Sequence, residues 1–205
     1  MDALTYAKLA QLSYSATPDI GQESSASRAI VRRTNDGLTI AFPGTDNVSC
    51  WLDDLDIETV EVDGLGRLHA GFWSAWQAIA DDVVKAVGNE LVIFTGHSLG
   101  AALAILAGAA LSLQGKSPIA VMGFEPPRVT TDTTIAQLFV NNNVPTQLYR
   151  NGEDIVPLVP SLTHPWQHPA PLIQIGKASL PVPNVEDHMI ERVIEALSQE
   201  TATST

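Results

Sequence analysis

Hydrophobic positions in this chain alternate between short β-branched runs and longer runs spaced at three and four residues. Residues 91–95 (LVIFT) carry no charge and suit a strand buried on both faces of a parallel sheet. Similar runs at 119–124, 146–150 and 172–175 predict further strands. Two more, 29–33 and 38–42, flank Asn35-Asp36-Gly37 and predict a β-hairpin. Helical patterns fill the intervals. Asp2 can cap a first helix reaching about Ser15, and Phe72, Trp76, Ile79, Val83 and Val87 form one stripe on a helix from about 69 to 87. The alanine-rich run 101–113 stops before Gly115, a C-terminal cap, and 132–140 and 186–197 complete the set. The polar stretch 17–27 reads as loop, and proline-rich 157–171 as an ordered loop without regular structure. Strands alternating with helices after an antiparallel start predict a mostly parallel central sheet with helices on both faces. The expected organisation is one α/β domain over 1–205, with the polar end 198–205 fraying.

Composition narrows the partners. A chain of 205 residues that is 45% hydrophobic can bury one substantial core without a break between domains. The single cysteine, Cys50, leaves no intramolecular disulfide and reads as a small, half-buried hydrophobe. A formal net charge of −12 argues against nucleic acid and against electrostatic attachment to anionic lipid. No apolar run reaches membrane-spanning length, so stable membrane insertion is not expected. The opening MDALTYAKLAQLSYS lacks a basic segment followed by an apolar one, which points to the cytoplasm or to export by a leaderless route.

The chemistry gathers around Gly96-His97-Ser98-Leu99-Gly100, a G-x-S-x-G pentapeptide between a buried-strand pattern and a helix pattern. In that setting the serine sits on a strained strand-to-helix turn, its Oγ projecting above the sheet as a nucleophile. A serine hydroxyl needs a histidine to take its proton and an acid to hold that histidine, in the chain order Ser, Asp/Glu, His. Of the five histidines, His69 precedes Ser98 and His97 sits inside the elbow, which leaves His164 and His168, both in the proline-rich loop, and His188. His188, at the mouth of the last helix after a loop-forming LPVPN, is the first choice as base and His168 the second. Asp154, in the turn after the 146–150 strand, would stand at the same sheet edge as Ser98, with Glu153 as fallback. Asp132 suits a helix cap better, and Asp187 is adjacent to His188 and diverges from it. The oxyanion of the tetrahedral intermediate would meet the backbone N–H of Leu99 and, from Phe42-Pro43-Gly44-Thr45, the N–H and hydroxyl of Thr45.

Together these residues resemble the class 3 lipases. The matching motifs are FPGT at 42–45 with WLDDL at 51–55, LHAGF at 68–72, GHSLG at 96–100, FEPPRV at 124–129, DIVP at 154–157 and Asp187-His188. The resemblance implies an α/β-hydrolase fold, a Ser98, Asp154 and His188 triad, and an oxyanion hole of Thr45 and Leu99. It further implies that Asp54 orients the Thr45 hydroxyl, and that a short lid over about 48–54 presents Trp51 and Leu52 to lipid. Pro43 stands where the family usually has arginine, and the disulfides of the fungal members are missing.

The expected activity is hydrolysis of carboxylic esters through an acyl-Ser98 intermediate, without metal or organic cofactor, with glycerol esters of fatty acids favoured. Esters of small or aromatic acids, phospholipase A1 activity and acyl transfer use the same machinery and stay open. So does a catalytically silent fold that only binds lipid. The expected partner is a small-molecule ester or lipid, with at most transient contact with a lipid interface.

Overall fold

The computed structural model describes residues 1–45, 57–160 and 165–203. Its strands are β1 (Ile20–Gly21), β2 (Arg28–Thr34), β3 (Gly37–Phe42), β4 (Thr59–Val62), β5 (Gly66–His69), β6 (Val92–His97), β7 (Ala120–Phe124), β8 (Thr146–Asn151) and β9 (Leu172–Ile175). Seven of them form one sheet in the order β1-β2-β3-β6-β7-β8-β9. The β1-β2-β3 edge is antiparallel, and every pairing from β3 to β9 is parallel. Register aligns Phe42 with Gly96, His97 with Phe124, and Phe124 with Tyr149, so the carboxyl ends of β3, β6, β7 and β8 meet along one edge. Ligands of open parallel sheets bind at that edge.

Alternation along β6 divides the interior in two. Val92 and Phe94 face one apolar cluster, with Phe72, Trp76, Val83, Leu103, Ile105 and Phe139. Ile93 faces the other, with Tyr6, Ala7, Ala10, Val193 and Leu197. Helices α2 (Ala70–Gln77), α3 (Ala80–Val87), α4 (Leu99–Leu113) and α5 (Thr134–Asn141) thus cover one face, and α1 (Ala3–Ser15) and α6 (Ile190–Thr203) the other. This is the mostly parallel sheet with helices on both faces that the alternation predicts, and the α/β-hydrolase arrangement that the resemblance implies.

Local chemistry sets the helix ends. The Asp2 carboxylate accepts the N–H groups of Leu4 and Thr5, each at 3.2 Å, and starts α1. At the other end of α4, Gly115 takes φ 74 while its N–H reaches the Ser112 carbonyl and that of Lys116 the Leu111 carbonyl. That pair of bonds satisfies carbonyls the helix would otherwise leave open. Within α4 every residue from Leu99 to Ser112 is buried, as suits an all-apolar helix beneath other helices.

Three expectations need correction. The 69–87 helix divides at Ala78–Ile79 into α2 and α3, and the break keeps Ile79, Val83 and Val87 on the core that buries Phe72 and Trp76. The β4–β5 hairpin lacks a counterpart in the expected strands, although Val60 and Val62 alternate ahead of an Asp63-Gly64 turn. Finally, α6 runs on to Thr203, through much of the stretch expected to fray. There the hydroxyls of Ser198 and Thr201 bond back to the carbonyls of Ile194 and Leu197 at 2.7 and 2.9 Å.

Candidate active site

β6 ends at His97 and α4 begins at Leu99, which leaves Ser98 alone in the turn at φ 57 and ψ −126. A non-glycine residue in that region stores about 1–3 kcal/mol of strain, held here by the surrounding bonds. The Ser98 N–H donates to the Phe124 carbonyl at 2.9 Å, and the Ser98 carbonyl accepts from the Ala101 N–H at 2.9 Å. Glycines make room for the turn. A Cβ on Gly100 would collide with the Phe42 carbonyl, and one on Gly44 would come within 2.8 Å of the Ser98 Cβ. The loop after β3 therefore lies directly against the serine and brings Thr45 beside it. The Leu99 N–H, first in α4, has no acceptor within its own helix and sits at the positive end of the helix dipole. The Thr45 hydroxyl is buried without a hydrogen-bond partner among the described residues.

His188 lies in the 3₁₀ turn Glu186–His188 that precedes α6, and its Nδ1 is 2.6 Å from Oδ2 of Asp154. Both side chains are buried. With Asp154 ionised, Nδ1 carries the hydrogen and Nε2 is the basic nitrogen. Nε2 of His188 and Oγ of Ser98 are both buried without a hydrogen-bond partner among the described residues, an arrangement that costs free energy unless a ligand completes it. Burial pushes the Asp154 carboxyl upward. The His188 hydrogen bond and charge, Glu125 and the Val156 N–H outweigh burial and hold it below the usual carboxylate range.

Around this pair the two loops are tied together. Asp154 and Asn184 form a parallel bridge, in which Ile155 donates to the Asn184 carbonyl and Asn184 to that of Glu153. Asp187 accepts the N–H groups of Glu153 and Ser179 and the side-chain amide of Asn184, each at 3.0 Å. Burial raises its carboxyl, yet these donors bring it down to about 2. His97 braces the other side. Its Nε2 stands 2.7 Å from the His188 carbonyl, which can only accept, so Nε2–H donates there and Nδ1 accepts from the Tyr14 hydroxyl at 2.6 Å. Burial, then the nearby His188, lowers His97 to about 3 and keeps it neutral. The sequence gives His97 and Asp187 no part in the triad and offers no reading of Asn184 or Tyr14 as site residues. They act through contacts between distant segments, and only the adjacency of His97 to Ser98 hinted at one of them.

The other candidates lie elsewhere. Nε2 of His168 is 2.8 Å from the Pro157 carbonyl, to which it donates, and burial lowers its imidazole to about 4. Glu153 pairs with Arg150 at 2.8 Å. Asp132 accepts the N–H groups of Arg67 and Thr134 at 2.6 and 2.8 Å, as a turn residue at the start of α5. Asp54, Trp51, Leu52, the 48–54 lid, Cys50 and His164 fall outside the described residues.

One three-residue cluster among the described residues has the composition of a metal site. Glu125, Asp154 and His188 each place one potential ligand atom within 4.8 Å of the others. However, Asp154 and His188 are already hydrogen-bonded at 2.6 Å. Ligands bound to a common ion at about 2.0 Å each stand farther apart than that, so these two side chains are placed for each other and not for a shared cation.

Comparison with known proteins agrees with the geometry. A family model described as Lipase (class 3) matches residues 39–164. A secreted mono- and diacylglycerol lipase of Malassezia globosa is 35% identical over 161 residues, covering 68% of this chain and 52% of the relative. A secreted mono- and diacylglycerol lipase A of Penicillium cyclopium is 29% identical over 151 residues, covering 69% of this chain and 48% of the relative. The chain thus spans about half the length of these relatives. In structure, the triacylglyceride lipase of Rhizomucor miehei superposes with a TM-score of 0.72 at 20% identity, covering 90% of this chain and 91% of that one. The cytoplasmic location read from the opening residues is overturned, because several similar proteins are named as secreted lipases, which points to export. The first residues of a chain spanning about half the length of these relatives do not report targeting. On the match of its family model and the likeness to these relatives, the chain belongs to the class 3 lipase family.

Proposed function

We propose that this chain is an exported serine carboxylester hydrolase, a lipase on glycerol esters of fatty acids, with Ser98, His188 and Asp154 as its triad. One observation carries the reading: the buried Asp154–His188 hydrogen bond leaves Nε2 of His188 and Oγ of Ser98 unsatisfied beside a strained elbow. Ser98 Oγ attacks the ester carbonyl carbon while Nε2 of His188 takes its proton, and the carbonyl oxygen becomes an oxyanion facing the N–H of Leu99 and the N–H and hydroxyl of Thr45. His188 then returns the proton to the departing alcohol. Water, activated by the same nitrogen, releases the acid from Ser98.

A cavity of about 1120 Å³ leads to this centre, lined by Thr45, His188 and Met189 and by Leu9, Leu12 and Tyr14 of α1. Leu12 and Met189 are 42% and 53% exposed, apolar side chains at the mouth that suit an aliphatic ester. Among the described residues no helix is long and apolar enough to cross a membrane.

The substrate class is tested with p-nitrophenyl esters from acetate to palmitate, run beside emulsified tributyrin and phospholipid. Short and medium acyl chains and tributyrin are expected to turn over fastest. Confinement of activity to soluble aromatic esters would make the protein an esterase, and no turnover of any ester would leave a silent fold. Thr45→Val keeps the backbone N–H and the side-chain shape but deletes the hydroxyl. A loss of about 10²–10³ in kcat with little change in KM is expected, as for removal of one oxyanion donor. Parental kcat in that variant would restrict the loop's role to its backbone.

A further inference from the structure

Glu125 follows the last residue of β7 and sits fully buried at φ 52, a left-handed conformation in which a side chain larger than glycine is strained. Its backbone N–H donates to the Tyr149 carbonyl at 2.9 Å, and its Oε1 accepts the Asn151 N–H at 2.5 Å. Both bonds aim the carboxyl group under the turn that carries Asp154. Its other oxygen, Oε2, meets no N–H or hydroxyl among the described residues. What it meets is a second carboxyl group. One oxygen of Glu125, one of Asp154 and a ring nitrogen of His188 lie within 4.8 Å of one another. Two ionised carboxylates side by side in a buried site repel and leave Oε2 without a donor, whereas one retained proton removes both penalties.

We propose that Glu125 is a positioning residue: Oε2–H donates a hydrogen bond to the Asp154 carboxylate and fixes the group that in turn holds His188. This rests on the triad reading above. The proton stays on Glu125, because Asp154 already accepts from Val156 at 3.0 Å and from His188 at 2.6 Å and is the better stabilised anion. The pair therefore carries one negative charge, matched to the one imidazolium that forms during the reaction. Without its donor, Asp154 would be held, among the described residues, by the Val156 N–H and His188 alone and would carry more charge density toward His188.

The surrounding charges agree. Burial first, then the hydrogen bond and charge of Asp154, push Glu125 well above the ordinary carboxylate range. The Asn151 N–H and Arg150 pull the other way and do not prevail. Arg150 is occupied, its Nε donating to the Asp154 carbonyl at 3.0 Å and its guanidinium paired with Glu153. His188 and the neutral His97 complete the groups facing the carboxyl pair. Because the folded chain keeps a proton that an unfolded chain releases near pH 4.3, Glu125 makes stability fall as pH rises from there toward its folded value.

Two variants and a spectrum test the assignment. The infrared difference between the parent and Glu125→Gln at neutral pH is expected to show the C=O stretch of one protonated carboxylic acid lost in the variant. Glu125→Gln keeps a neutral donor toward Asp154 and an acceptor for Asn151, so kcat should stay within about threefold of the parent. Its stability should also fall less with pH above about 4.3. Glu125→Leu removes the donor, and kcat should drop about tenfold or more with KM little changed. In the same variant the acid limb of kcat/KM should move to higher pH by roughly half a unit or more, because Asp154 then exerts its full charge on His188. A filler of space would alter stability without moving that limb. Absence of the carboxylic band, a folded but inactive Glu125→Gln, or a parental rate and acid limb in Glu125→Leu each overturns the proposal. If Glu125→Leu does not fold, the spectrum and Glu125→Gln still decide. Loss of the band alongside full activity in Ser98→Ala would instead refute the triad and leave the shared proton standing.

Discussion

Replacing Ser98 with alanine is expected to lower ester hydrolysis by roughly six orders of magnitude while the chain still folds, as loss of the nucleophile does in comparable triads. The residual rate should exceed that in water by about 10³–10⁴, because the Leu99 and Thr45 donors remain. Folding should survive because Ser98 holds the turn through its backbone: its N–H reaches the Phe124 carbonyl and its own carbonyl accepts from Ala101. Its hydroxyl, buried and unpartnered among the described residues, contributes no bond to the fold, and alanine also relieves an unsatisfied polar group. Thermal midpoint is therefore expected to be equal or slightly higher in the variant. A serine-directed phosphonate should label the parent once, at Ser98, and leave Ser98→Ala unlabelled. Stoichiometric labelling of the variant, or activity within tenfold of the parent, would refute the nucleophile.

His188→Ala should be as damaging as Ser98→Ala, since members of a triad act as a unit and losing either one costs about the same. The variant leaves Asp154 buried without its principal partner. It should therefore lose stability too, by about 1–3 kcal/mol. His168→Ala separates the two late histidines. Among the described residues His168 bonds to the Pro157 carbonyl and to nothing in the site, so its loss should loosen the proline-rich loop and leave turnover near the parental value. In the parent, kcat/KM should fall with acidity, because only neutral His188 can take the Ser98 proton. An inactive His168→Ala beside an active His188→Ala would reverse the assignment of the base.

Much of the fold was legible because its signals are local. The uncharged LVIFT run, the Asn35-Asp36-Gly37 turn, the Asp2 cap and the Gly115 stop each encode an element within a few residues. The central strands and most helices follow. Where a pattern served two geometries the sequence was silent. The stripe from Phe72 to Val87 fits one long helix as well as two short ones, and only packing against the core chose the break at Ala78–Ile79.

For the site, the pentapeptide and the chain order of serine, acid and base singled out Ser98, Asp154 and His188, because that chemistry restricts residue type and order. Sequence could rank His188 over His168 but could not show the 2.6 Å contact to Asp154, which arises from two loops 34 residues apart. The same holds for Asp187 and Asn184, whose bonds bind those loops, and for the neutral His97 bridging Tyr14 and His188. Glu125 is the sharpest instance. In the FEPPRV motif it is one acid among 23, without a role that spacing could assign. Its protonation depends on burial beside another carboxylate, and burial is a property of the packed chain. The sequence by itself determined the elements and the kinds of residue that can perform acyl transfer, since both depend on neighbours along the chain. Tertiary structure alone decided which carboxyl meets which imidazole and where each proton resides, since those depend on distance and desolvation across it.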